Sequence, residues 1–81
     1  MYTDIQEQVR VAAVFDRNRI KPRWFIWNGR KHNIQQITYR WKDREGEAPL
    51  IYFSVSDGQT LYELSFNQKT LNWRLEKVYV E

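Results

Sequence analysis

The chain reads as an all-β domain, a six-stranded antiparallel meander curled into a small barrel or half-barrel. Three observations predict it. Asn28-Gly29 and Asp57-Gly58 are two-residue turn signals between apolar-rich arms, suited to turns that demand positive φ at their central positions. Large apolar residues alternate with polar ones over most of the length, the period of a half-buried strand. No stretch of ten or more residues carries a helical period with caps. Six twisted strands with one apolar face must curl over that face.

Ile5 to Phe15 forms the first strand, with Val9, Val11, Ala13 and Phe15 alternating toward a core. Asp16 to Pro22 is a basic loop. Pro22 has no N–H for a ladder, so it opens the second strand rather than sitting inside it. The Asn28-Gly29 turn then sets Trp27 opposite Arg30, Ile26 opposite Lys31, Phe25 opposite His32 and Trp24 opposite Asn33. Phe25, Trp27, His32 and Ile34 share the core face. Beyond Ile34 the apolar residues change parity to Ile37, Tyr39 and Trp41, and a bulge near Gln35-Gln36 keeps them on that face within one continuous strand. The opposite face carries Trp24, Ile26, Lys31, Asn33, Gln36, Thr38 and Arg40. Lys42 to Pro49, charged and interrupted by Gly46, is the longest loop.

Across Asp57-Gly58 a two-residue turn sets Val55 against Thr60, Phe53 against Tyr62 and Ile51 against Leu64. A four-residue loop, Asn67 to Thr70, then sets Phe66 against Leu71, Leu64 against Trp73 and Tyr62 against Leu75. The large residues of three strands agree on one face, and that consistency supports the fold. Val78 and Val80 change parity, which calls for a second bulge at Glu76-Lys77.

Eighty-one residues form a single domain, and a chain this short buries only about 60 to 65 % of its unfolded surface. Little room is left for an enclosed catalytic cavity. A binding module without a cofactor is therefore expected rather than an enzyme. The absence of cysteine excludes disulfides, thiolate metal sites and thiol catalysis, and fits a reducing compartment. The first residues show no basic region followed by an apolar run, and no segment approaches the roughly 18 apolar residues of a membrane span. A soluble, cytoplasmic protein is the expectation.

Trp41, Tyr52-Phe53, Val55, Asp57-Gly58, Tyr62, Leu64, Trp73, Leu75, Val78 and Tyr79, with Phe25, Trp27, Gly29 and Arg30, resemble an uncharacterised family of small bacterial all-β domains of unknown function. The terminal Trp-x-Leu-x-x-Val-Tyr pattern is similar to the end domain of some Y-family DNA-polymerase-like proteins of damage tolerance. The resemblance covers most of the chain from Pro22 onward and implies a fold more than an activity. It raises a nucleic-acid-associated role and supplies no catalytic residue.

Charge is unevenly spread. Nine basic residues between Arg17 and Arg44 face Asp43 alone, a balance of +8, while the rest of the chain carries −5. Such asymmetry points to an acidic partner, nucleic acid first. A charged sheet surface also guards edges against aggregation. His32, the only histidine, falls on the core face as a structural residue, and no carboxylate pair faces a cleft. Trp27, Trp41 and Trp73 read as core. Trp24 lies among cations, so Arg23, Trp24, Arg30, Lys31, Arg40 and Lys42 form the candidate surface for a single-stranded nucleic acid, rings stacking on bases and charges tracking phosphates. A second possibility is a protein-interaction or self-associating module, a homodimer included, centred on Trp24, Ile26, Tyr52 and Leu61.

Overall fold

A computed structural model describes residues 1–80. They form seven strands: β1 (Tyr2–Asp16), β2 (Arg19–Trp27), β3 (Arg30–Asn33), β4 (Gln36–Glu45), β5 (Ala48–Ser56), β6 (Leu61–Asn67) and β7 (Trp73–Tyr79). All pairings are antiparallel, in one sheet of order β3-β2-β1-β7-β6-β5-β4.

The all-β antiparallel expectation holds, but the six strands are seven. The stretch expected to run unbroken from Arg30 to Trp41 divides at Ile34-Gln35. The Ile34 N–H donates to the Arg23 carbonyl at 2.8 Å and the Gln35 N–H to the Ser56 carbonyl at 2.8 Å. Within two residues the chain leaves β2 for β5, strands that are not neighbours in the sheet. A bulge inside one strand cannot make that step. The two sheet edges, β3 and β4, are thus consecutive in sequence, and the sheet must coil until they approach, yet no ladder closes it. The Phe25 ring of β2 meets Tyr62 of β6 edge-on at 5.1 Å, a contact across three places of the sheet order that only coiling allows.

Inside the coil lie Phe25, Phe53, Val55, Tyr62, Leu64, Phe66, Trp73, Leu75 and Val78, with Val9, Val11 and Ala13 packed against them. The register of β2 and β3 is the expected one. The other two registers differ from expectation by two residues: Val55 faces Tyr62, Phe53 faces Leu64 and Ile51 faces Phe66, while Phe66 faces Trp73 and Leu64 faces Leu75. Turn chemistry is the reason. Asp57 Oδ1 accepts the N–H groups of Gln59 at 2.9 Å and Thr60 at 2.8 Å, which makes the connection four residues long. Asn67 Oδ1 does the same for Lys69 and Thr70, and Leu71, expected in a strand, stands at φ +64 in the loop. A slip of two preserves every face. The bulge near Glu76 is present, with Glu63 facing Lys77 while Leu64 faces Leu75, and Val78 reaches the core.

The two longer of the expected loops, Asp16 to Pro22 and Lys42 to Pro49, are mostly strand. The basic one shrinks to a turn at Arg17-Asn18, and Glu45 faces Ala48 across Gly46 and Glu47. Pro22 lies inside β2, fully buried opposite Ala13. It is tolerated because Arg23 is the extra residue of a bulge there, where an absent N–H breaks no ladder.

Candidate nucleic-acid interface

The site follows from where the bulge in β4 falls. Ile37 faces Val55 and Tyr39 faces Ser54, so Thr38 is the extra residue and the parity of β4 inverts after it. Arg40 now stands opposite buried Phe53, and Lys42 opposite Ile51. Tyr39 and Trp41, expected in the core, turn to the outer face. Trp41 stacks on Tyr52 there, 5.2 Å between centroids and 8° between planes. Tyr39 leans on Trp41 at 5.6 Å.

The split at Ile34-Gln35 supplies the second wall. Residues 19–22 of β2 pair with β1 alone, because β3 ends at Asn33, opposite Trp24. β4 pairs with β5 alone. Two unpaired strand edges therefore diverge from Ile34-Gln35 and leave a groove of about 300 Å³. Asn18, Arg19 and Ile20 line one side, Arg40, Trp41 and Lys42 the other, with Ile51 and Phe53 between them. The Arg40 guanidinium carbon sits 5.7 Å from the Phe53 ring centroid, a cation–π contact that holds the side chain across the groove. Three cations and no carboxylate line an apolar floor.

The six residues singled out from the sequence do not form one surface. Arg40 and Lys42 belong to this groove. Trp24 and Lys31 lie on the outer face of β2 and β3 in mutual contact, the ammonium 4.8 Å from the ring centroid. Arg23 is exposed at its bulge, and Arg30 is exposed just past the Asn28-Gly29 turn. One basic face was expected because Arg40 was placed in the same parity as Lys31. The Thr38 bulge moves it to the other side. Lys31 also covers the Trp24 ring that was to stack on a base. Arg19, part of the basic run but absent from the expected site, joins the groove because the free edge of β2 carries it there. Of the alternative apolar centre, Tyr52 is covered by Trp41.

Carboxylates collect on the outer face. Burial pushes the Tyr52 hydroxyl above its ordinary range, with Glu76, Asp43, Glu63 and Glu45 adding to the shift. Glu63 is also raised, by burial first and then by Glu76 and Asp4 against the opposing pull of Lys77. Ser65, buried, donates to Glu76 at 2.6 Å. Three members of the basic run, Arg19, Arg40 and Lys42, thus line the inner groove, while the carboxylates of the outer face stand among Lys77 and Arg74.

His32 takes the expected core-face position, stacked on Phe25 at 4.9 Å and 15°. Its Nδ1 lies 3.4 Å from the Tyr62 hydroxyl. No group of three or more His, Asp or Glu side chains able to hold a metal ion occurs among the described residues. No known protein family, curated protein or solved structure matches the chain.

Proposed function

We propose that the protein is a small nucleic-acid-associated binding module, neither catalytic nor cofactor-dependent, that seats a single strand in the groove between the free edges of β2 and β4. The carrying observation is the composition of that groove: Arg19, Arg40 and Lys42 around Ile51 and Phe53, with no acid among the lining. Cations track phosphates, the electrostatic half of sequence-tolerant strand binding, and Ile51 gives the groove an apolar patch beside them. In this reading the coiled sheet is a half-barrel and the ligand lies at its open seam.

Titration of labelled single-stranded DNA and RNA at about 50 and 200 mM salt tests the reading, because each phosphate contact contributes to a steep fall of affinity with salt. Binding at low salt that weakens sharply is expected, and no binding of either at about 50 mM overturns the proposal. A protein-interaction reading draws support from one feature, the unpaired backbone of both groove edges, which suits an added strand. Such a complex resists salt where a phosphate-driven one does not.

A further inference from the structure

Phe15 is out of place for a residue of its pattern. It lies opposite Ile20, so it shares the inner face with the core, yet it is 66 % exposed. The topology explains this. β1 leaves β7 after Val9, opposite Trp73, and from Arg10 onward pairs with β2 alone. The β1–β2 hairpin therefore projects beyond the rest of the sheet. Phe66 meets the Phe15 ring edge-on at 6.2 Å.

The tip of this hairpin is strained. Arg17 and Asn18 both have positive φ, 48° and 66°, with no glycine at either position. An arginine in that region is uncommon, and such strain concentrates at functional sites. Beneath the tip a second groove of about 430 Å³ runs between Phe15, Arg17, Phe66 and Leu71. Asn18, Arg19 and Ile20 line this groove and the first one alike. The hairpin tip therefore borders both grooves. Together the two grooves are lined by the cations Arg17, Arg19, Arg40 and Lys42 and by one carboxylate, Asp16.

That mixture selects an occupant. A second copy docked symmetrically would bring the same cations into contact with these, and an apolar partner would bury them without counter-charge. An acidic peptide would meet the charges but would cover the ring only where an aromatic side chain fell at the right spacing. An unpaired nucleotide brings both a phosphate and a π-face, whereas duplex bases are already stacked on each other. We propose that Phe15 is the platform on which one base of the strand stacks, with Arg17 on the adjoining phosphate. The inference rests on the reading of the groove as a single-strand site and extends its footprint around the β1–β2 turn.

The test compares oligothymidylate with an abasic oligonucleotide of equal length and with a duplex, by fluorescence anisotropy at about 50 mM salt, where phosphate-driven binding is strong. The parent protein is expected to bind thymidylate more tightly than either competitor. Phe15→Ala should lower thymidylate affinity by about 5- to 150-fold, leave the abasic strand and the salt slope unchanged, and be rescued by Phe15→Trp. Arg17→Ala should weaken both strands equally and reduce the salt slope by about one phosphate contact. A parent protein that binds thymidylate and the abasic strand equally, or a Phe15→Ala variant that weakens both or neither, overturns the platform and leaves the groove reading standing. Binding of no strand at all overturns both. A dimer in sedimentation that Phe15→Ala breaks would assign the exposed ring to self-association instead and overturn the proposal. Thermal melts of each variant confirm the fold, which an exposed side chain should hardly affect.

Discussion

Tyr62 donates its hydroxyl to the Asp57 carboxylate across 3.2 Å, and in doing so joins the β5–β6 turn to the strand that leaves it. The same carboxylate accepts the N–H groups of Gln59 and Thr60. The hydroxyl also lies within 3.4 Å of His32 on β3, so a turn at one side of the sheet is tied to the opposite edge strand. Asp57→Ala removes an acceptor from three donors and should destabilise by about 1 to 3 kcal/mol in denaturant titrations.

Asp57 also makes stability depend on pH. Burial opposes its ionisation, but the Thr60 and Gln59 N–H groups, the Tyr62 hydroxyl and the nearby His32 outweigh that and hold the carboxyl below its ordinary range. A carboxyl lowered in the fold stabilises above its unfolded value, about 3.9, and this contribution is lost as pH falls through the folded value. Melting temperatures measured from pH 7 to pH 2 should fall in the parent. Asp57→Asn, with no charge to lose, should start lower and fall less.

Glu63 carries the opposite sign. Its folded pKa is raised by burial, with Glu76 and Asp4 adding and Lys77 opposing, so ionising it works against the fold at neutral pH. Glu63→Gln should raise the melting temperature at pH 7, and the gain should vanish below about pH 4.3, where the unfolded chain's own glutamate is protonated. An unchanged or lower melting temperature at pH 7 would show that the Lys77 attraction dominates.

Gly58 has φ +100, and a Cβ there would meet Gln35 Oε1 at 2.8 Å. Of the two obstacles only the backbone one is firm, since a glutamine amide can swing away. Gly58→Ala should cost about 1 to 2 kcal/mol, and adding Gln35→Ala should recover only a minor part. Full recovery in the double variant would make the clash, rather than the dihedral angle, the cause.

Trp73 is 7 % exposed and packs at 4.8 Å from Phe66 and 5.5 Å from Phe53. Trp73→Ala should destabilise by roughly 3 to 5 kcal/mol, most of what a domain of this length possesses. A cooperative melt near the parent's would contradict the packing.

Charge substitutions separate the groove from the outer face. Arg40→Ala and Lys42→Ala should each lower affinity for every single-stranded sequence alike and reduce the salt slope by about one phosphate contact. Lys31→Ala and Trp24→Ala should leave affinity within about twofold, the lysine change costing about 0.5 to 1 kcal/mol of stability through the lost contact with the ring and the tryptophan change more, because that side chain is half-buried. The reverse pattern would move the interface to the outer face of β2 and β3.

What the sequence determined by itself was local and periodic. Asn28-Gly29 set the β2–β3 register residue for residue, since a two-residue turn leaves no choice of partner. Alternation assigned the faces of Val55, Phe53, Leu64, Trp73 and Leu75 correctly even where the registers slipped by two, because the side-chain period is two and such a slip changes no face. The parity change at Val78 disclosed the bulge at Glu76 for the same reason. The side-chain acceptors of Asp57 and Asn67, which lengthen the turns, were also readable, though the dipeptide pattern masked them. Tertiary structure alone decided the rest. A bulge can sit at Gln35-Gln36 or at Thr38 with equal local ease, and only the partner strand β5 selects Thr38. That choice exchanges Arg40 for Trp41 on the inner face. The split at Ile34-Gln35 and the departure of β1 from β7 at Val9 depend on strands far apart in sequence, so no local pattern carries them. They leave the two free edges and the projecting Phe15, and the groove exists because of them.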